Sequence, residues 1–235
     1  MNGLLATIKL DIRCQARSGL YAVGIFTAVL FGLIGRLIPV EYAGRTLSVI
    51  YLLSLSTTTY VFCASQVLAD KTQGTLLALR AAPLTANAYM ASKILTLTTF
   101  SVVEAAVIYG VGFWGADLNL LPLLVGVVVL GLLYACIGLG QVAKHTSVLT
   151  FLLPGVAIVG SVSQLPMLYV LGIGPAVLYY GIPSMAPLLL MIGTSEALEA
   201  WQWAYAIGVS IAAIAAAGLW AQASFRRYIQ LSEAP

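Results

Sequence analysis

An α-helix needs about 20 consecutive apolar residues to cross a bilayer core about 30 Å thick, because within lipid every backbone N–H and C=O must be satisfied inside the segment. Runs of that kind recur along this sequence, at about 20–38, 46–68, 93–114, 121–142, 148–170 and 200–222. The material between them does not change the class: 61% of the 235 residues are hydrophobic and 8% are charged, against roughly 45–50% apolar usage in soluble domains. The expectation is an all-α integral membrane protein with six transmembrane helices, forming a single domain over about 20–223 and ending in a short tail, 224–235.

The sparse charges set an orientation. Lys9, Arg13, Arg17, Lys71, Arg80, Lys93, Lys144, Arg226 and Arg227 fall on one side of the six spans, whereas the other side holds Arg45, with Arg36 at the end of the first span. The excess of Lys and Arg on cytoplasmic loops then places both termini in the cytoplasm. Trp114, Trp201 and Trp203 sit at the predicted outer ends and Trp220 and Tyr228 at the inner end, as interfacial aromatic residues do. A formal charge of +3 is therefore a property of loops rather than of a nucleic-acid-binding face, and no nucleic-acid partner is expected.

Two segments read differently. Residues 1–19 place Leu4, Leu5, Ile8 and Ile12 on one helical face and Lys9, Arg13 and Arg17 on another, the pattern of an amphipathic helix lying in the cytoplasmic interface. The first apolar run has no small-residue cleavage site and contains Arg36, so it reads as an uncleaved span. Residues 171–199 are apolar but broken by Gly172, Gly174, Pro175, Gly181, Pro183 and Pro187. Pieces of 8 to 12 residues cannot cross, so this stretch is expected as a re-entrant or surface segment on the outer side.

Reactive constellations are missing from the sequence. There is no HExxH, the single His145 has no serine placed for it to activate, and Cys14, Cys63 and Cys136 form neither a CxxC nor a metal-ligand spacing. No catalytic residue, metal site or bound cofactor is expected. Nor is there a GxxxxGK[ST] loop to cradle nucleotide phosphates, so ATP-driven work would need a partner subunit carrying ATP and Mg.

The densest polar stretch between apolar runs is "ADKTQGTLLALRAAPLTANAYMASK", residues 69–93. It reads as a short helix around "TLLALR", ended near Pro83, whose ring disfavours the α conformation in the preceding residue, with Thr85 or Asn87 as the next helix cap. In this stretch the sequence resembles the permeases of type-2 ATP-binding-cassette exporters. These carry, between spans two and three, an acidic residue, Gly-Thr, leucines, a Pro followed by a small or hydroxyl residue, and a Lys opening the next span. The matching residues are Asp70, Gly74, Thr75, Leu76, Leu79, Pro83, Leu84, Thr85 and Lys93. Lys71 and Leu77 depart from the pattern, standing where the family often has acidic residues. The resemblance implies a coupling segment, 69–92, that docks into a separate cytoplasmic ATPase through Asp70, Gly74, Thr75, Leu76, Leu79, Arg80 and Pro83. It also implies a second permease, identical or paralogous, and outward transport across a bacterial or archaeal cytoplasmic membrane. "PLTANAYMASKILTLTTF" and "IPSMAPLLL" look most like small drug-export permeases of the fluoroquinolone-exporter type. Haem-export permeases of cytochrome c maturation have a similar layout, and an ATP-independent secondary transporter is the competing class.

Within the spans, Glu104 lies 11 residues from Lys93 and 10 from Trp114, near mid-bilayer at 1.5 Å per residue. A charge there costs at least about 2.5–3.5 kcal/mol, so Glu104 is expected to face protein or a water-filled path. It is either a substrate contact or a protonated carboxyl bonded to a neighbouring helix. In "SLSTTTY", Ser54, Ser56, Thr57, Thr58 and Thr59 either line the path opposite Glu104 or serve helix packing. Gly24, Ala28 and Gly32, like Gly208, Ala212 and Ala216, recur at intervals of four and suit close helix approach, within the subunit or between two copies.

Overall fold

The computed structural model describes residues 2–74 and 86–230. Their regular structure is helical, in the order α1 (Asn2–Arg17), α2 (Leu20–Gly35), α3 (Ala43–Thr72), α4 (Ala86–Gly112), α5 (Leu120–Val142), α6 (Val148–Gly155), α7 (Met167–Val170), α8 (Met185–Ile192) and α9 (Ala200–Phe225). Local chemistry sets several ends. The Asn119 side chain accepts from Leu121 N at 3.2 Å to cap α5, and the Gln202 side chain accepts from Glu199 N at 2.8 Å at the start of α9.

Helices α3 and α5 form the centre of the bundle. α5 packs against α3, α4, α8 and α9, and α3 is buried over 72% of its most apolar window, against 22% for α9. Helix α8 has eight residues and every one is buried, so it plugs the space between α3, α5 and α9 although it is far too short to cross. Gly126 on α5 admits it: a Cβ there would lie 3.0 Å from the Pro187 carbonyl oxygen.

Four helices, α3 with the turn before it, α4, α5 and α9, are long and apolar enough to span a membrane. A fifth is reached if α1 and α2, which meet at a 66° bend, count as one. The sixth expected span, over 148–170, is not a continuous helix. α6 gives way after eight residues to a π-helical turn, a 3-10 turn and the four-residue α7, because Pro154 removes a hydrogen-bond donor inside α6 and Gly155, Gly160 and Pro166 follow.

Helix α1 docks by a face that the apolar pattern does not reveal. Thr7, Asp11 and Gln15, spaced by four, are the buried residues, whereas Leu5, Ile12, Lys9, Arg13 and Arg17 are exposed. The helix therefore carries three strips: a polar seam against the bundle, an apolar flank and a basic outer face. Below, the end of the bundle holding α1 and most of the Lys and Arg residues is called the basic end.

Candidate functional site

The stem of the polar segment between α3 and α4 is held from two directions. At its last residues, α3 stops on Gly74, whose φ of +69° is a left-handed conformation that a Cβ penalises. Just before it, Lys71 points to one side. Its Nζ donates to the carbonyls of Val142 at 3.1 Å, Ala143 at 2.8 Å and His145 at 2.7 Å. The last carbonyls of a helix have no intrahelical donor and carry its negative dipole end, so an ammonium group there satisfies both needs. Lys71 thus caps α5 and fastens α3 to the turn leading into α6. Burial, then Lys144 and Lys71, holds the His145 imidazole in that turn below its ordinary value.

Asp70 points the other way. Its Oδ2 accepts from the Tyr89 hydroxyl at 2.7 Å and pairs with Lys93 Nζ at 2.9 Å. The same ammonium group pairs with Asp11 Oδ1 at 2.7 Å, and Asp11 Oδ2 accepts from Ser92 Oγ at 2.5 Å. Lys93 and Asp11 are almost fully enclosed, with side chains 3% and 7% exposed, so their cohesion rests on this pairing rather than on water. One turn along the seam, the Tyr21 hydroxyl donates to Gln15 Oε1 at 2.6 Å, and Gln15 Nε2 donates to Gln66 at 3.0 Å and Thr96 at 2.9 Å. A polar belt therefore joins α1, α2, α3 and α4 at the basic end.

The sequence-predicted site residues fall in several places. Thr75, Leu76, Leu79, Arg80 and Pro83 lie outside the described residues. Asp70 turns into the bundle as above, and Gly74 marks the helix stop. Glu104 on α4 is wholly enclosed and faces α3, where Ser54 Oγ donates to its Oε1 at 2.7 Å and Thr58 Oγ1 at 3.2 Å; its Oε2 has no partner among the described residues. Ser56, Thr57 and Thr59 do not meet it. Ser56 accepts from Gln164 Nε2 at 2.8 Å, Thr57 is exposed, and Thr59 pairs with Ser101 Oγ at 2.7 Å. The hydroxyls that reach Glu104 are the i, i+4 pair Ser54 and Thr58, which share one helical face. Spacing by four singles out this pair among the five hydroxyls of "SLSTTTY", as it does Thr7, Asp11 and Gln15 on α1.

Gly24, Ala28 and Gly32 are buried on the face of α2 that packs along α4 within the same chain. A Cβ on Gly32 would come 2.7 Å from Val111 Cβ, and one on Gly24 would come 2.5 Å from the Phe100 ring. On α9, by contrast, Gly208, Ala212 and Ala216 are exposed. Among the described residues no group of His, Cys, Asp and Glu is arranged to hold a metal ion.

Four helices long and apolar enough to span a bilayer suit a protein that sits in a membrane. Comparison with known proteins agrees. The model of the Fluoroquinolones export permease protein family matches residues 2–233. Fluoroquinolones export permease proteins from two Mycobacterium tuberculosis strains, CDC 1551 / Oshkosh and ATCC 25618 / H37Rv, are each 28% identical to this chain over 239 aligned positions, covering 97% of both partners. The chain belongs to the fluoroquinolones export permease protein family, and it is a membrane transport protein.

Proposed function

We propose that this chain is the membrane subunit of an ATP-binding-cassette exporter, in which two permeases work with two cytoplasmic ATPase subunits to move an amphipathic, drug-like molecule outward. The basic end and both termini face the cytoplasm, in keeping with the positive-inside bias. The chain crosses six times, with 148–170 as a broken fifth crossing and 171–199 dipping in from the outer side. Residues 69–92 couple to the ATPase. The single observation that carries this reading is the bracing of the stem: Asp70 is tied through Lys93 to α4 and α1, and Lys71 to the end of α5. A push on the segment beyond Gly74 is thereby delivered to both halves of the bundle at once.

The test is copurification of the tagged permease with an ATPase that carries GxxxxGK[ST] and is encoded by a neighbouring reading frame. Wild type should retain the ATPase and export a fluoroquinolone in an ATP-dependent way, and Gly74→Pro or deletion of 73–80 should abolish both. Intact assembly and transport in those variants would refute the coupling role. The half-partnered Glu104 favours a second reading, proton-driven transport. Export that persists without ATP and disappears in Glu104→Gln would select it.

A further inference from the structure

On the side of α1 opposite its apolar flank lies a cavity of about 440 Å³, walled by Cys14, Arg17 and Leu20 with Gln66, Ala69 and Asp70 of α3. Its polar groups are unequally committed. The acid on its wall, Asp70, is already engaged by Tyr89 and Lys93, and Lys93 is held between Asp70 and Asp11. Two donors remain. Arg17 is exposed and has no ion-pair partner among the described residues, and Gln66, 7% exposed, has a buried Nε2 with no acceptor, because its Oε1 is the atom that Gln15 holds. A buried N–H group without a partner is costly, so a site that leaves one beside a free guanidinium is complementary to an acceptor-rich, negatively charged group. Leu20 and Ala69 supply the apolar remainder of the wall.

From this arrangement we infer that the cavity is an intake site for an amphipathic organic anion whose carboxylate is held by Arg17 and the Gln66 amide. The inference rests on the export reading for its biological use, but binding itself tests it. A charge-assisted contact of this kind is worth about ten-fold in affinity or more.

The experiment uses the full-length permease in lipid nanodiscs and equilibrium dialysis of two probes, a quinolone carboxylic acid and its methyl ester. Wild type should bind the acid at least about ten-fold more tightly than the ester. Arg17→Gln should erase that preference while leaving ester affinity unchanged, and Gln66→Met should weaken acid binding in the same direction. Arg13→Gln removes the same charge one turn away, outside the cavity wall, and should keep the preference. Equal binding of acid and ester by wild type, no acid binding at all, or equal losses in Arg13→Gln and Arg17→Gln would overturn the site, the last outcome assigning the effect to surface potential. Transport is read separately in proteoliposomes containing the ATPase. Wild type exporting the ester while acid binding shows no dependence on Arg17 removes this site alone, whereas export of neither probe removes the export reading.

Discussion

Among the polar contacts between helices α3 and α4 are two carboxylate sites about three turns apart, and the two are built on opposite principles. At the basic end, Asp70, Lys93 and Asp11 form a chain of charges in which each oxygen or ammonium named above has a partner, with Tyr89 and Ser92 completing the shell. At Glu104, Ser54 and Thr58 both donate to Oε1 and Oε2 is left alone. A fully paired network fixes geometry, because removing one member strands the others in a medium that cannot solvate them. A half-satisfied carboxyl fixes little and retains capacity for a further partner. The first place is a joint; at the second, one carboxylate oxygen has no partner among the described residues.

That contrast can be broken by substitution, and the largest effect is expected at Lys93. Lys93→Met leaves the buried Asp11 and the partly buried Asp70 without their cation and should destabilise the fold by about 3–5 kcal/mol, read as a lowered tryptophan-fluorescence unfolding midpoint in nanodiscs. A change under about 1 kcal/mol would mean that water reaches the pair. Next comes Lys71→Met, which strips the donor from three carbonyls at the end of α5 and should cost about 1.5–3 kcal/mol. In the presence of the ATPase it should also lower transport per ATP hydrolysed more than it lowers ATPase binding, with Lys71→Arg restoring part of the coupling. Equal losses in both would reduce Lys71 to a stabilising cap. Glu104→Gln keeps an acceptor for Ser54 and Thr58 and should change stability by under about 1 kcal/mol, so a large loss would show that the two places are not different in kind.

The smallest effect belongs to His145. Its folded imidazole titrates below the ordinary value, so the unfolded chain binds more protons in that interval and stability falls as pH drops from about 6.5 toward the folded value. His145→Gln should flatten that slight slope, and an unchanged slope would place its origin elsewhere.

Much of this molecule was legible beforehand. Apolar run length identified the helices that became α3, α4, α5 and α9, since a continuous apolar run of that length satisfies its backbone in lipid as a helix. The fifth run folds as a broken rather than a continuous helix, because hydropathy does not weigh Pro154, Gly155 and Pro166 as breakers. In α1 the strongest pattern, leucine and isoleucine against lysine and arginine, described the strips that face outward, while docking falls to Thr7, Asp11 and Gln15. Hydrophobic periodicity finds the buried face only where burial is driven by apolar area; a face buried by hydrogen bonds has to be found from the spacing of polar residues. Lys71 stands where the family often has an acidic residue, and its role was not legible because its partners are backbone carbonyls more than 70 residues away, which no local reading of the segment contains.

Helix α3 runs 30 residues without a break, which makes it a rod about 45 Å long. Rods convert rotation into displacement in proportion to length. With the basic end clamped at Asp70 and Lys71, a tilt of roughly 5° sweeps the far end through about 4 Å, from rod length alone. Near that far end stands Arg45, whose guanidinium bonds Glu196 just beyond α8. A displacement of that size exceeds the reach of a hydrogen bond, so a tilt of the rod about its clamped end, with Glu196 held in place, would part this ion pair.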